Sequence, residues 1–147
     1  MKLTTFTDYS LRVLIYVAAT PDGRATRGEI AKGYGISENH LVKIVHLLGR
    51  EGILLNTRGR GGGLALARPP REINVGQVVR LTEGGDVPAE CFTEDNPCAI
   101  APVCRLAGVL DEAMKAFYGV LDRYTLADLV HNRPRIASIL RLHPRPA

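Results

Sequence analysis

The chain has 147 residues, 46% of them hydrophobic, which is enough for a packed core and too apolar for a disordered segment. Its formal charge of +4 is unevenly spread: residues 1–70 carry 10 Lys and Arg against 5 Asp and Glu, and residues 71–147 carry 9 against 10. That asymmetry predicts polyanion binding by the front half alone. The longest apolar run, Val13 to Ala19, is too short to cross a bilayer and no signal-peptide pattern opens the chain, so the expectation is a cytoplasmic protein with no membrane partner.

Apolar residues at three- and four-residue spacing predict a first helix over Thr7 to Ala19, with Thr5 and Asp8 resembling a capping box. Pro21-Asp22-Gly23 predicts a turn, and a second short helix follows over Thr26 to Tyr34 with Ile30 and Ala31 inward. Gly35 breaks it. Ser37 then caps a third helix, Glu38 to Gly49, whose apolar face is Leu41, Val42, Ile44, Val45, Leu47 and Leu48. Two short apolar runs, Ile53 to Leu55 and Leu64 to Ala67, flank the basic glycine-rich tip Arg58-Gly59-Arg60-Gly61-Gly62-Gly63 and predict a β-hairpin. Helices followed by a hairpin in this order make a winged helix-turn-helix. The fold expected is therefore mainly α with a small β-hairpin, closed by Pro69-Pro70.

The third helix is the candidate recognition helix: Ser37, Glu38, Asn39, His40 and Lys43 can reach base edges, and Lys43 and Arg50 can neutralise phosphate. Arg58 and Arg60 suit a narrow minor groove, with glycines allowing close backbone approach. No GKS or GKT follows the glycines and no helix opens after them, which argues against a nucleotide-binding P-loop.

Asn74 caps a helix over Val75 to Leu81, and a loop opens at Gly84-Gly85. This loop holds all three cysteines, as Cys91-x6-Cys98-x5-Cys104, and between Leu81 and Cys104 there are five acids and no Lys or Arg. Clustered thiols in a reducing compartment point to metal or redox chemistry. The close Cys knuckles of structural zinc are missing, so the spacing suits an iron–sulfur cluster better, with a fourth donor from elsewhere or an open iron. A thiol switch and three buried thiols remain alternatives at this point.

From Arg105 a long amphipathic helix is predicted. Leu106, Leu110, Ala113, Phe117, Val120 and Tyr124 recur at alternating four and three, a strip that wants a partner helix. Thr125 caps a further short helix, and the end from Pro144 is expected to fray. The chain thus divides into a winged helix-turn-helix unit (1–70), a connecting helix with the cysteine loop (71–104), and a dimerisation helix with a helical tail (105–147). No nucleophile–base motif is legible, and His40, His46, His131 and His143 have ordinary surface or helix readings, so no enzyme activity is expected.

The segments Leu3-Thr4-Thr5-Phe6-Thr7-Asp8-Tyr9, Glu38-Asn39-His40-Leu41-Val42-Lys43-Ile44 and Tyr124-Thr125-Leu126-Ala127-Asp128-Leu129, with the glycine-rich wing and the cysteine triad, span about residues 1–140. Together they resemble the NsrR-type, nitric-oxide-sensing branch of the winged-helix iron–sulfur repressors, a family that also includes IscR-like members. The resemblance implies a homodimer on palindromic double-stranded operator DNA that represses nitric-oxide detoxification genes while its cluster is intact, with nitric oxide as the signal for release. IscR-like members carry a His three residues after the third Cys, where Ala107 stands here. NsrR-like members can take a fourth ligand from an Asp near the N-terminus of the other subunit, and Asp8 matches. The implied ligands are Cys91, Cys98, Cys104 and Asp8 from the partner subunit, with a 4Fe–4S cluster favoured over 2Fe–2S. Taken locally, Asp8 is explained by the helix dipole and capping with no metal involved. The rivals are a cluster-supply or redox regulator of the same fold, a metal-free thiol switch, and a small iron–sulfur electron carrier.

Overall fold

A computed structural model of the chain describes residues 2–57, 59, 62–84, 89–93 and 98–143. The first helix, α1 (Thr5–Ala19), starts where Thr4 leaves helical geometry and its hydroxyl accepts the Thr7 N–H. The expected Thr5–Asp8 capping box is therefore corrected by one position. Thr5 already lies inside the helix, and Asp8 turns instead to Arg12, one turn on, at 2.8 Å. Val13, Leu14, Tyr16 and Val17 bury the opposite side of α1.

Thr26 and Glu29 form a reciprocal capping box that starts α2 (Arg27–Tyr34). Gly35 ends α2 in the left-handed region, φ +65°, a conformation that glycine adopts without a Cβ clash. Ile36 then drops into the core, and Ser37 caps α3 (Glu38–Arg50) by accepting the Asn39 N–H at 3.3 Å. Leu41, Ile44, Val45 and Leu48 seat α3 against α1 and α2. Val42 does not join them: its side of the helix faces outward, and the residue is 45% exposed.

The hairpin is present as β2 (Leu54–Thr57) and β3 (Gly63–Leu66), with Leu54 opposite Leu66 and Thr57 opposite Gly63. A third strand, β1 (Arg24–Ala25), adds antiparallel to β3 and gives the order β1-β3-β2. Two residues are too few to show alternation, so only the long-range pairing reveals this strand.

Asn74 caps α4 (Val75–Glu83), which packs on α1. After two 3-10 turns comes α5 (Leu106–Leu121), and then α6 (Leu126–Leu129), opened by a Thr125–Asp128 capping box, and α7 (Arg133–Ile139). Tyr124, expected on the long helix, lies beyond its end. Its carbonyl accepts the Val75 N–H at 3.0 Å, returning the chain to the base of α4. The hydrophobic core continues past Pro70, since Ile73, Val78, Leu126 and Val130 share one cluster with the residues of α1 and α3. Arg133 fastens α7 by donating to the carbonyls of Ala19, Thr20 and Pro21 at the end of α1. Pro144, with its expected frayed end, lies outside the described residues.

Candidate functional site

Three parts of the molecule carry the residues singled out by sequence. The first is α3. Its buried row of Leu41, Ile44 and Leu48 fixes the helix, and Glu38 in the first turn and Arg50 in the last complement the helix dipole. Ser37, Asn39, His40 and Lys43 are all exposed, as expected. Asn39, His40 and Lys43 line one concavity with Thr5, Phe6 and Tyr9 of α1, and the His40 ring lies 6.0 Å from the Tyr9 ring. His46, to which sequence reasoning gave no role, and Arg50, expected to neutralise phosphate, continue the exposed edge at the next helical spacings.

The wing is the second part. Leu54 anchors it in the core, and Ala67 N–H to Ile53 O at 2.9 Å extends the hairpin beyond β3. Arg68 ties the hairpin base to the end of α3, donating to Gly52 O at 3.1 Å and Glu51 O at 3.3 Å. Sequence reasoning gave Arg68 no role, because the carbonyls it serves are defined only by where α3 stops. Gly59, at φ +96°, turns the tip, with Gly62 N–H donating to its carbonyl. Arg58 and Arg60, the expected minor-groove readers, lie outside the described residues.

The third part runs from α4 through the cysteines to α5. Cys91 sits in the 3-10 turn Glu90–Phe92, and Cys104 closes the 3-10 turn Ala101–Val103 with its N–H toward Ala101 O. Cys91 and Cys104 are half-buried and Cys98 is exposed. Among the described residues, no three His, Cys, Asp or Glu side chains of one chain converge in metal-binding geometry. The donor chemistry fits an iron–sulfur cluster: the three thiols are soft ligands, with Cys91 and Cys104 in or beside short turns and none of the three inside a long helix or sheet.

Asp8 stands apart on α1, in a bidentate contact with Arg12 whose two side chains are 45% and 41% exposed. A pair this open to water contributes about 0–1 kcal/mol, so it does not prevent Asp8 from taking another partner. The Arg12 guanidinium also lies 5.7 Å and 5.8 Å from the Tyr9 and Tyr34 ring centroids. Burial pushes the Tyr34 phenol up, against the opposing pull of Arg12.

Glu83, at the end of α4, connects the Asp8 helix to the root of the cysteine segment. It accepts from the Thr4 N–H at 2.9 Å and the Thr4 hydroxyl at 3.1 Å. Desolvation alone would raise its pKa, but hydrogen bonds from Thr7 and Thr4 hold it below the ordinary value of 4.5.

On α5, Leu106 and Val120 are 58% and 44% exposed, Ala113 is exposed, and Leu110 and Phe117 are half-buried. Tyr124, past the helix end, is also exposed. The helix has no buried residue and rests on α4. Arg80 holds it there through a bidentate pair with Asp122, at 2.6 and 2.7 Å, while its guanidinium covers Tyr118 at 4.4 Å. Gly76 permits this close approach, because a Cβ at that position would collide with the Asp122 carboxylate.

Capped helices α2 and α3, joined by a glycine turn and backed by a three-stranded wing, define a winged helix-turn-helix transcriptional regulator. The Rrf2 family, described as iron-dependent transcriptional regulators, matches residues 3–132, and the chain belongs to it. It is 49% identical to the HTH-type transcriptional regulator NsrR of Bacillus subtilis, over 97% of this chain and 99% of that protein. It is 47% identical to the NsrR of Halalkalibacterium halodurans, over 98% of this chain and 100% of that one. Among solved structures it resembles T. potens IscR, with a TM-score of 0.72 and 28% identity over 90% of this chain and 88% of that one. It also resembles CymR, the global cysteine regulator of B. subtilis, with a TM-score of 0.67 and 29% identity over 90% and 98% of the two chains. The sequence resemblance to this family, the fold class and the expectation of a regulator rather than an enzyme therefore stand. Among the described residues no helix is long and apolar enough to cross a membrane.

Proposed function

We propose that this regulator is a nitric-oxide-sensing repressor that binds palindromic operator DNA as a homodimer while it holds an iron–sulfur cluster. The observation that carries the proposal is the placement of all three cysteines in the one segment that joins the DNA-reading body to α5, the helix with no buried residue. Identity of 47–49% to regulators named NsrR, against 28% to IscR, supports the nitric-oxide branch over a cluster-supply regulator. Ala107, where IscR-like members carry a His, agrees with that preference and with a 4Fe–4S cluster rather than 2Fe–2S.

Cys91, Cys98 and Cys104 would hold the cluster, with Asp8 of the partner subunit as the fourth ligand. When bound, the group supplies an iron centre that reacts with nitric oxide. The chain's own residues do the rest. Glu83 binds the N-terminus of α1 to the end of α4, so a change at the cysteine segment pulls on the helix that backs α3. Arg80 and Asp122 hold α5 on α4, so the spacing between two copies joined through α5 is passed to the recognition helices. Leu106, Leu110, Ala113, Phe117, Val120 and Tyr124 would form the contact between copies. Asn39, Lys43 and the wing arginines would meet the duplex.

The test compares Asp8→Ala with Cys98→Ala, both purified without oxygen. The Cys98 variant is expected to lose its visible absorption and its operator binding. The Asp8 variant is expected to keep a cluster with an altered spectrum and weaker operator binding. A Cys98 variant with the wild-type spectrum overturns the cluster assignment. An Asp8 variant matching wild type in spectrum, nitric oxide response and DNA affinity removes Asp8 from the ligand set.

A further inference from the structure

The recognition helix has a second flank, on the side of the wing. There Arg27, Val42, Val45, His46, Arg50 and Asn56 line a groove of about 380 Å³. Its floor is apolar and its rim is basic, and no carboxylate lines it. Val42 is 45% exposed, although its neighbours Leu41, Ile44 and Val45 are 0%, 1% and 6% exposed. Arg27, at the start of α2, and His46 make no ion pair among the described residues, and Arg50 contacts Glu51 at 3.0 Å.

An open valine on the exposed side of a recognition helix cannot hydrogen-bond, so it can distinguish bases only by apolar contact. The single apolar group on the major-groove edge of any base pair is the C5-methyl of thymine. The basic rim fits a polyanion and disfavours an acidic or apolar peptide. We infer that this groove reads a thymine: its methyl packs on Val42, the His46 ring bonds an adjacent base edge, and Arg27 holds the flanking phosphate. On this flank the reading residues of α3 are then Val42 and His46, and His40, on the flank that faces Tyr9, lies off it. This assignment rests on the DNA-binding role of α3 and specifies which base that helix selects.

The test starts from duplexes selected out of a random pool by the anaerobically purified protein. In the winning duplex each thymine is replaced in turn by uracil, which removes only the methyl. At one position the wild type should bind about fourfold more weakly, the worth of one buried methyl-sized group. Val42→Ala should bind the parent duplex more weakly and be indifferent to uracil at that position. His46→Ala should weaken binding yet keep the uracil effect. Wild-type indifference to every uracil, or a full uracil effect in Val42→Ala, overturns the thymine assignment. A change in oligomeric mass with unchanged DNA affinity in Val42→Ala would make the groove a contact between copies instead. A pool that yields no enriched sequence with the wild type would overturn DNA reading itself, a separate failure.

Discussion

The two ends of α4 face opposite kinds of structure. Before it, α1 and α3 bury rows of side chains to near-zero exposure: Val13, Val17, Leu41 and Leu48 are all at 0%. After it, no described residue between Thr82 and Leu126 is buried. The first region is held by its own packing. The second is tied to the body by polar contacts at its two roots, Glu83 with Thr4 at one end and Asp122 with Arg80 at the other. A reader of DNA must present fixed side chains to a rigid groove, whereas a segment that responds to a signal belongs where stability is low enough to change.

The contrast can be broken most severely at α5. Phe117→Glu should abolish the dimer and the palindromic footprint, because it places an unpaired charge in the proposed contact between copies. Sedimentation together with footprinting checks this, and a soluble dimer that still covers the full operator would return α5 to its own subunit. Core truncation comes next. Leu48→Ala should cost about 2–5 kcal/mol in denaturant unfolding. Val109→Ala, at 59% exposure on α5 and outside the proposed contact between copies, should leave unfolding of the body within about 0.5 kcal/mol of wild type. Equal losses from the two would erase the distinction.

At the wing, Arg58→Ala or Arg60→Ala should weaken specific binding by about 1–3 kcal/mol if the arginine reads the groove. A salt titration separates this from a phosphate contact, which would lower affinity for all sequences and flatten the slope. The smallest effect concerns pH. The Glu83 carboxyl is held below its ordinary value of 4.5 in the folded protein, so its contribution is fully present above that value and fades as pH falls beneath it. Acid unfolding of Glu83→Gln should therefore show less loss of stability below pH 4.5 than wild type, with no difference in slope between about pH 6 and 8.

Much of the reading body was legible because its signals are local. Thr26 with Glu29, Ser37, Asn74 and Thr125 with Asp128 each mark a helix start by the hydrogen bonds their side chains make nearby. What escaped depends on distant partners. Strand β1 exists because Arg24 and Ala25 meet Ala65 and Leu64. The helical repeat ran on to Tyr124, but Arg80 takes Asp122 and the Asn74 amide takes the Asp122 carbonyl, and the chain turns there. Asp8 suited a capping pattern until Thr4 occupied the cap one residue earlier. On α3, hydrophobic spacing alone placed Val42 inside, and only the positions of α2 and β2 leave it open. The cysteine triad was the plainest signal in the sequence, yet the site it would build needs donors that one chain's described residues do not bring together.

The central claim is that the cluster's condition sets the affinity for DNA. It is tested most directly by titrating the anaerobically purified protein with nitric oxide while recording visible absorption and the anisotropy of a labelled operator duplex in one cuvette. The account predicts that cluster absorption and bound DNA fall together, over the same range of added nitric oxide, with the body's helical signal unchanged. Operator binding that persists after the cluster absorption has gone would contradict it.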